Sequence, residues 1–485
     1  MKKTSVLFLI YLNFSFALLA QDLSTEKQAV IHLLDKTAPR YHQIAEKIWN
    51  WSELGFLEEK STRLLQETLI KEGFKVQSGV AGMPTAFVAE WSQGMGGPVL
   101  GMLAEFDALP DMSQTATPHR QSDEGRSNGH ACGHHLFGAG SVAAAIHTKK
   151  WLSSSGTAGT IRLYGTPAEE GGGGKVYMVR AGLFDDLDAV LSWHPGDKNQ
   201  AIAGSSLAAI SIRFRFHGKA MHASGAPWRG RSALDAVEEM NFMVNLMREH
   251  LTPETRIHYA ILDGSKAPNI VPAYAESAYI VRHPDMRECR SVLDRVIKTA
   301  KAAAMGTETQ LDYEIVTGYY NKLPNKALAK VMYENLKLVG GVHYNEDETT
   351  FATEIMGTLM GSEASIEDAG NIQPFEVIEV GKGGSTDVGD ISWVRPTTGL
   401  RTATWVPGTG AHSWQAVAAG GMSIGHKGML VAAKTLTLTA MDLYQNPNKL
   451  KEAETEIVER RGADFEYEAL LGDREPPLDY RVSKQ

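Results

Sequence analysis

The sequence predicts an α/β protein: a mostly parallel sheet with helices on both faces, interrupted by a smaller α+β domain. Three observations carry this. Short apolar runs with abrupt polar ends, "TAFVAEW", "PVLGMLAEFDALP", "GTIRLYGTPAEEGGGG" and "LDAVLSWHPG", alternate with helical segments, as in a sheet built from crossover units. Near Ser205 the texture changes, and "SLAAISIRFRFHG" alternates apolar and polar residues like a half-exposed strand. At 485 residues the chain is too long for one ordinary core, so two domains are expected.

Taken in order, residues 1–20 come first. Lys2 and Lys3 precede the apolar run "VLFLIYLNFSFALLA", after which "QDLSTEKQ" turns polar. This reads as a secretory signal peptide cleaved near Ala20, giving an exported, periplasmic or secreted protein. A membrane span needs about 20 apolar residues. The run is shorter and is broken by Asn13, and no later segment is long and apolar enough. No membrane association is therefore expected once the signal is removed.

Residues 21–207 form the first part of the catalytic domain. They open with two stretches of helical apolar spacing, "AVIHLLDKTAPRYHQIAEKIWNWSELGF" and "EKSTRLLQETLIKEGFKV", before the strand candidates. Residues 208–324 form the small domain. It contains the half-exposed strand, the helix "SALDAVEEMNFMVNLMREHL", strand candidates "RIHYAILDG" and "SAYIVRHP", and the helix "RECRSVLDRVIKTAKAAAM". The Pro and Asn of "NKLPNKALAK" mark the return to the large domain, 325–446. Residues 447–485, charged and proline-bearing, read as a peripheral extension.

A net charge of −9 with no Lys/Arg-rich block argues against a nucleic-acid binder. There are only two cysteines, Cys132 and Cys289. In an oxidising compartment a disulfide between them is one reading. The other starts from "GHACGHH", which places Cys132 among three histidines. Cys132 and His134 stand at a helix start, where backbone N–H groups favour an anionic sulfur. Thiolate, imidazole and carboxylate together suit zinc or a similar divalent ion. Cys289 has no such neighbours and reads as structural.

In open parallel sheets ligands bind beyond the C-terminal ends of the strands. Metal-type residues collect there: Glu105 and Asp107 after "VLGMLA", Glu169 and Glu170 after "TIRLYGTPA", His194 ending "AVLSWH", and His412 in "WVPGTGAHSWQ". Glu169 and Glu170 are adjacent, so on an extended chain they point apart. One can then bind metal while the other faces water. The glycine run that follows is not a phosphate loop, because Val176 follows Lys175 and Glu169 stands where the first glycine would be. The glutamate of H-E-x-x-H is missing between His130 and His134, and the zinc-deaminase signature is absent.

"EFDALP", "HACGH", "PAEEGG", "WHP" and "GTGAHSWQ", in this order and spacing, resemble the dinuclear metallopeptidases of the aminoacylase and carboxypeptidase-G type. Within them the chain looks most like the p-aminobenzoyl-glutamate utilization protein B group of amidohydrolases. "AGMPTAFVAEW", "APNIVPAYAESAYIVRHP", "GGSTDVGDISW" and "MSIGHKGM" fit the same group. The resemblance implies an α/β catalytic domain with a lid domain that dimerises. It implies two divalent ions, Zn or Mn, held by Cys132, His134, Glu170, His194 and His412 through a shared ligand and water. It makes Glu169 the general base and Asp107 an orienting residue behind a ligand. His222 would contact the scissile carbonyl, commonly across a dimer interface, while Asn269 and Arg282 would hold the substrate, Arg282 through its carboxylate. The residue after "CGH" is usually Asp or Asn in that group, and here it is His135. The expected activity is hydrolysis of N-acyl amino acids of the p-aminobenzoyl-glutamate type. The alternatives are a dipeptidase for small or β-alanyl dipeptides, and a non-catalytic ligand-binding protein or partner to a catalytic chain. The intact donor set and base argue against the last.

Overall fold

The structure is a computed structural model that describes residues 24–482, and the expected signal peptide lies outside the described residues. Two sheets organise it. The strands in chain order are β1 (Lys75–Ser78), β2 (Phe87–Gln93), β3 (Val99–Ala104), β4 (Gly159–Gly165), β5 (Ala189–Gly196), β6 (Gln200–Ala201), β7 (Ala203–Gly204), β8 (Ala208–His217), β9 (Arg256–Asp263), β10 (Tyr274–His283), β11 (Gln310–Tyr319), β12 (Val377–Ile378) and β13 (Thr397–Ala403). The large sheet has the order β1-β2-β4-β3-β5-β13-β6. Its centre, β4-β3-β5-β13, is parallel. The flanking strands β1, β2 and β6 pair antiparallel.

Strands β3 and β5 are buried along almost their whole length, which is why they read as continuous apolar runs rather than alternating ones. The helix His134–Ser155 explains itself in the same way. It is rich in Ala and Gly and is buried nearly all round, packing between the sheet and the helices Thr25–Trp51 and Ser423–Gln445. Small residues let those backbones approach: a Cβ on Gly140 would meet Trp193 Cζ2 at 2.9 Å.

The second sheet, order β11-β8-β10-β9, is antiparallel throughout. The helices Ala233–Met247 and Met286–Gly306 cover it and share its core of Ile210, Phe214, Val237, Val281 and Val296. The sequence predicts three strands here, and the structure has four. The additional strand, β11, is hidden because a register shift between Ile315 and Thr317 interrupts its pairing with β8. A bulge of this kind breaks the period of two.

The C-terminal segment is not peripheral. Its helix Pro447–Arg461 buries Leu450, Ala453 and Ile457. Beyond it, Ala469 and Leu471 enter the core of the large domain, while Leu470 between them enters the core of the small one.

Candidate metal centre

The C-terminal ends of β3, β4 and β5 open on one rim, and the chain places its donors there. Cys132, His134 and His194 bring ligand atoms within 4.8 Å of one another; so do Cys132, Glu170 and His412, and so do Glu105, His134 and Glu169. Cys132 and His134 owe their positions to the turn between them. Gly133 is the helix N-cap with φ 76°, a left-handed conformation that glycine adopts without steric cost. A Cβ at this point would also lie 2.6 Å from Pro195 Cβ, beside His194.

The histidine orientations are set from behind. His134 Nδ1 donates to Asp107 Oδ1 at 2.8 Å, leaving Nε2 facing the cluster. His194 Nδ1 donates to the Pro195 carbonyl at 2.7 Å, and its Nε2 lies 3.4 Å from Cys132 Sγ. Ligating imidazoles are usually fixed in this way, with the second ring nitrogen bonded to a carboxylate or carbonyl. The Glu169–Glu170 pair is not on an extended strand. It lies in a turn entered through Ala168 at φ 56°. Buried Glu58 accepts from Ala168 N at 2.9 Å, and Asp107 Oδ2 accepts from Glu170 N at 2.9 Å. Asp107 therefore braces His134 and Glu170 together. His412 also has left-handed backbone, φ 59°. Its N–H donates to the carbonyl of Ala131, beside Cys132, and its Nε2 lies 3.2 Å from Glu170 Oε1.

His134 Nε2 and Glu105 Oε2, 3.1 Å apart, and Glu170 Oε1, 3.2 Å from His412 Nε2, are buried and make no regular hydrogen bond beyond these imidazole–carboxylate approaches. Buried polar groups are almost always hydrogen-bonded, so ring nitrogens and carboxylate oxygens left facing each other in two of the donor groups fit a cation between them. The donor set, one sulfur with imidazoles and carboxylates, suits zinc or manganese-like divalent ions. Burial pushes the Cys132 thiol up to about 12, and a cation among these atoms reverses that balance. Burial also raises Glu169 well above the carboxylate range, helped by the charges of Glu105, Asp387 and Glu170 and opposed by Lys175.

The sequence alone assigns no role to Lys175, Asp387 or Glu58, and it marks Glu105 only as a strand-end carboxylate. Lys175 is fully buried, and its Nζ lies 2.7 Å from both Glu105 Oε1 and Asp387 Oδ1. Glu105 Oε2 in turn lies 3.1 Å from His134 Nε2. His135 turns away, donating through Nε2 to the Gly420 carbonyl at 2.9 Å and packing against His130. Cys132 and Cys289 are not bonded to each other; Cys289 is buried in the small-domain core and donates to the Val281 carbonyl.

The lid residues fall into two places. His222 and Asn269 are neighbours, since His222 bridges Ile270 and Ala223 N donates to the Asn269 carbonyl. His222 Nδ1 accepts from Ser224 N at 3.2 Å and Gly225 N at 3.1 Å, which puts its proton on Nε2. Arg282 lies near the other end of β10, donating to Ser385 Oγ at 3.2 Å. At about 3.3 Å per residue the length of β10 from Tyr274 to Arg282 is roughly 26 Å.

The model of peptidase family M20/M25/M40 matches residues 101–414, which hold every donor named above. The chain belongs to peptidase family M20/M25/M40. It is a metal-dependent hydrolase of linear amide or peptide bonds. It is 40% identical over 446 residues to one of the subunits of p-aminobenzoyl-glutamate hydrolase from Escherichia coli (strain K12), covering 86% of this chain and 92% of that protein. It is 32% identical over 446 residues to Xaa-Arg dipeptidase of Mus musculus, covering 89% and 92%. Among solved structures, a dinuclear metal binding peptidase of the M20 family from Bacillus subtilis superposes with TM-score 0.58 at 16% identity, over 85% of this chain and 99% of that one. That likeness shows the fold: the two-sheet architecture is that of the family.

Proposed function

We propose that this M20-family amidohydrolase is an exported enzyme that cleaves N-acyl amino acids of the p-aminobenzoyl-glutamate type with two divalent ions. The observation that carries this is the pair of donor groups sharing Cys132, Cys132/His134/His194 and Cys132/Glu170/His412, with Glu169 beside them. The similarity to the Escherichia coli hydrolase points to the substrate class. Lys2, Lys3 and the apolar run behind them support export.

Each ion, Zn or Mn, would be held by one group with Cys132 common to both. Bound there, the ions would supply a water of lowered pKa and polarise the amide carbonyl. Glu169 takes the proton of the attacking water and returns it to the leaving amine. His222 donates from Nε2 to the carbonyl oxygen as negative charge develops there. Arg282 pairs with the substrate carboxylate.

His222 and Arg282 cannot both reach one small substrate from a single lid if they stay at opposite ends of β10. A homodimer resolves this, with His222 supplied by the second copy of the chain. The lid offers a face for it: β9 is an edge strand with mostly exposed side chains, and Phe242 and Leu246 stand exposed on the adjoining helix. Exposed strand edges and apolar patches invite association. The bacterial relative is one of the subunits of its hydrolase, which leaves room for a related but different partner chain as well.

The test is metal-loaded protein on a panel of N-acyl amino acids and dipeptides, read by mass spectrometry. Release of an amino acid from aroyl-glutamates ahead of all dipeptides supports the reading. Preferred cleavage of basic dipeptides favours the second reading, a dipeptidase, which the mouse relative motivates. For the dimer, mixed inactive His222→Ala and Glu169→Gln proteins should recover part of the activity, because a hybrid has one site with both residues. No recovery after verified subunit exchange overturns the shared site.

A further inference from the structure

The C-terminal segment runs against the candidate metal centre at Tyr480 and Arg481, far along the chain from the donors. Tyr480 Oη donates to the main-chain carbonyl of Glu170 at 3.1 Å, and Arg481 Nη2 donates to the same oxygen at 2.6 Å. A carbonyl oxygen has two lone pairs, and here both are taken by one passing segment. The Tyr480 ring stands edge-on to Phe56, with centroids 5.7 Å apart. The opposite wall is cut to receive it, because a Cβ at Gly55 would collide with Tyr480 Oη.

The strap is anchored along its whole course. Arg180 of the large domain donates to the carbonyls of Gly472 and Arg474 at 2.9 and 2.7 Å. Arg474 reaches the lid, donating to the carbonyls of Ile315 and Val316 at 3.1 and 2.7 Å, where β11 is bulged. Just before these ties Ala469, Leu470 and Leu471 plug into both cores. A segment fixed at so many points has little freedom left at Tyr480 and Arg481, and can hold what they touch.

What they touch is a donor carried on a loop. The Glu170 loop belongs to no helix or strand and enters through left-handed Ala168. From inside, Asp107 holds the Glu170 N–H; from outside, Tyr480 and Arg481 hold its carbonyl. With both ends of the residue's main chain pinned, the carboxylate is aimed at Cys132 and His412. We propose that the strap is part of the metal-binding apparatus, with Tyr480 and Arg481 as positioning residues for Glu170. This rests on the reading of Glu170 as a metal donor.

The experiment measures Zn²⁺ affinity of the full mature chain by competition with a chromophoric chelator, alongside melting of the metal-free protein. Tyr480→Phe keeps the ring and loses one hydroxyl; Arg481→Met loses the second donor; Arg481→Lys keeps a cationic donor. The double variant Tyr480→Phe/Arg481→Met should bind its weaker Zn²⁺ about 10–100-fold less tightly, the usual effect of removing a group that orients a ligand. Metal-free melting should stay unchanged, and Arg481→Lys should stay nearer the parent than Arg481→Met. Tyr467→Phe, which unties the same segment from Asp390 far along the strap, should leave the affinity alone. Parent-like affinity in the double variant overturns the proposal, as does an equal loss in Tyr467→Phe, which would mean general loosening. If the double variant fails to fold, Tyr480→Phe is judged by the same criterion. Glu170→Gln separates the two claims. If it weakens Zn²⁺ while the strap variants do not, the strap inference alone falls. If Glu170→Gln keeps parent affinity, the donor reading falls first.

Discussion

On the inner side of the centre, Cys132, His134 and His194 hang from a helix start and a strand end, packed against buried neighbours. On the outer side, Glu170 and His412 hang from loops. Glu170 depends on contacts from Asp107 and the C-terminal strap, and His412 is largely exposed on a left-handed residue. The two sides share Cys132. Rigid supports preorganise donors, and loops leave part of the ordering cost to be met when the ion binds. The difference teaches that the two ions need not be held equally: the inner one is expected to stay and the outer one to exchange.

The substitutions that break this comparison rank by effect. Cys132→Ser should take metal content and turnover to background, since it removes the donor common to both sides; a variant that keeps both ions would show that Cys132 is not shared. Glu169→Gln should lower kcat about 10²–10⁴-fold with metal content intact, because on the proposed mechanism only the proton carrier goes. Metal analysis beside single-turnover rates checks this, and metal loss here with metal retained in Glu170→Gln would reverse the assignment of the pair.

The asymmetry itself is sharpened by His412→Ala. It should retain one tightly held ion, whereas His194→Ala should lose the inner one; equal stoichiometry in the two would remove the distinction. Lys175→Met strands Glu105 and Asp387 without their cation. Removing one partner of a buried ion pair costs about 3–5 kcal/mol, so thermal unfolding of the metal-free protein should drop sharply. Unchanged melting would mean that the carboxylates take up protons at little cost. Cys289→Ser should be the mildest, with metal content and kcat unchanged.

The inner side is legible in the sequence for chemical reasons. A scarce cysteine placed between histidines at a helix start, with carboxylates and a histidine at strand ends, points to a metal-type cluster, and the resemblance to the family supplies which of them are expected as ligands. The parallel core is legible too, because strands buried on both faces are written as unbroken apolar runs. What stays hidden depends on partners far along the chain. Lys175 follows a glycine run and is given no role by the sequence, yet it is buried against Asp387, 212 residues away. Tyr480 and Arg481 sit in a charged tail and meet Glu170 across 310 and 311 residues. Nothing local announces such contacts. Strand β11 is hidden for a different reason, because its bulge removes the alternation by which strands are read.

The most direct test of the shared centre is metal analysis of the full mature chain, purified without chelator, followed by stepwise removal with a graded chelator series. About two divalent ions per chain are expected, lost in two steps, the first abolished by His412→Ala. No bound metal, or a single step that His412→Ala leaves untouched, would contradict a centre of two unequal sites joined through Cys132.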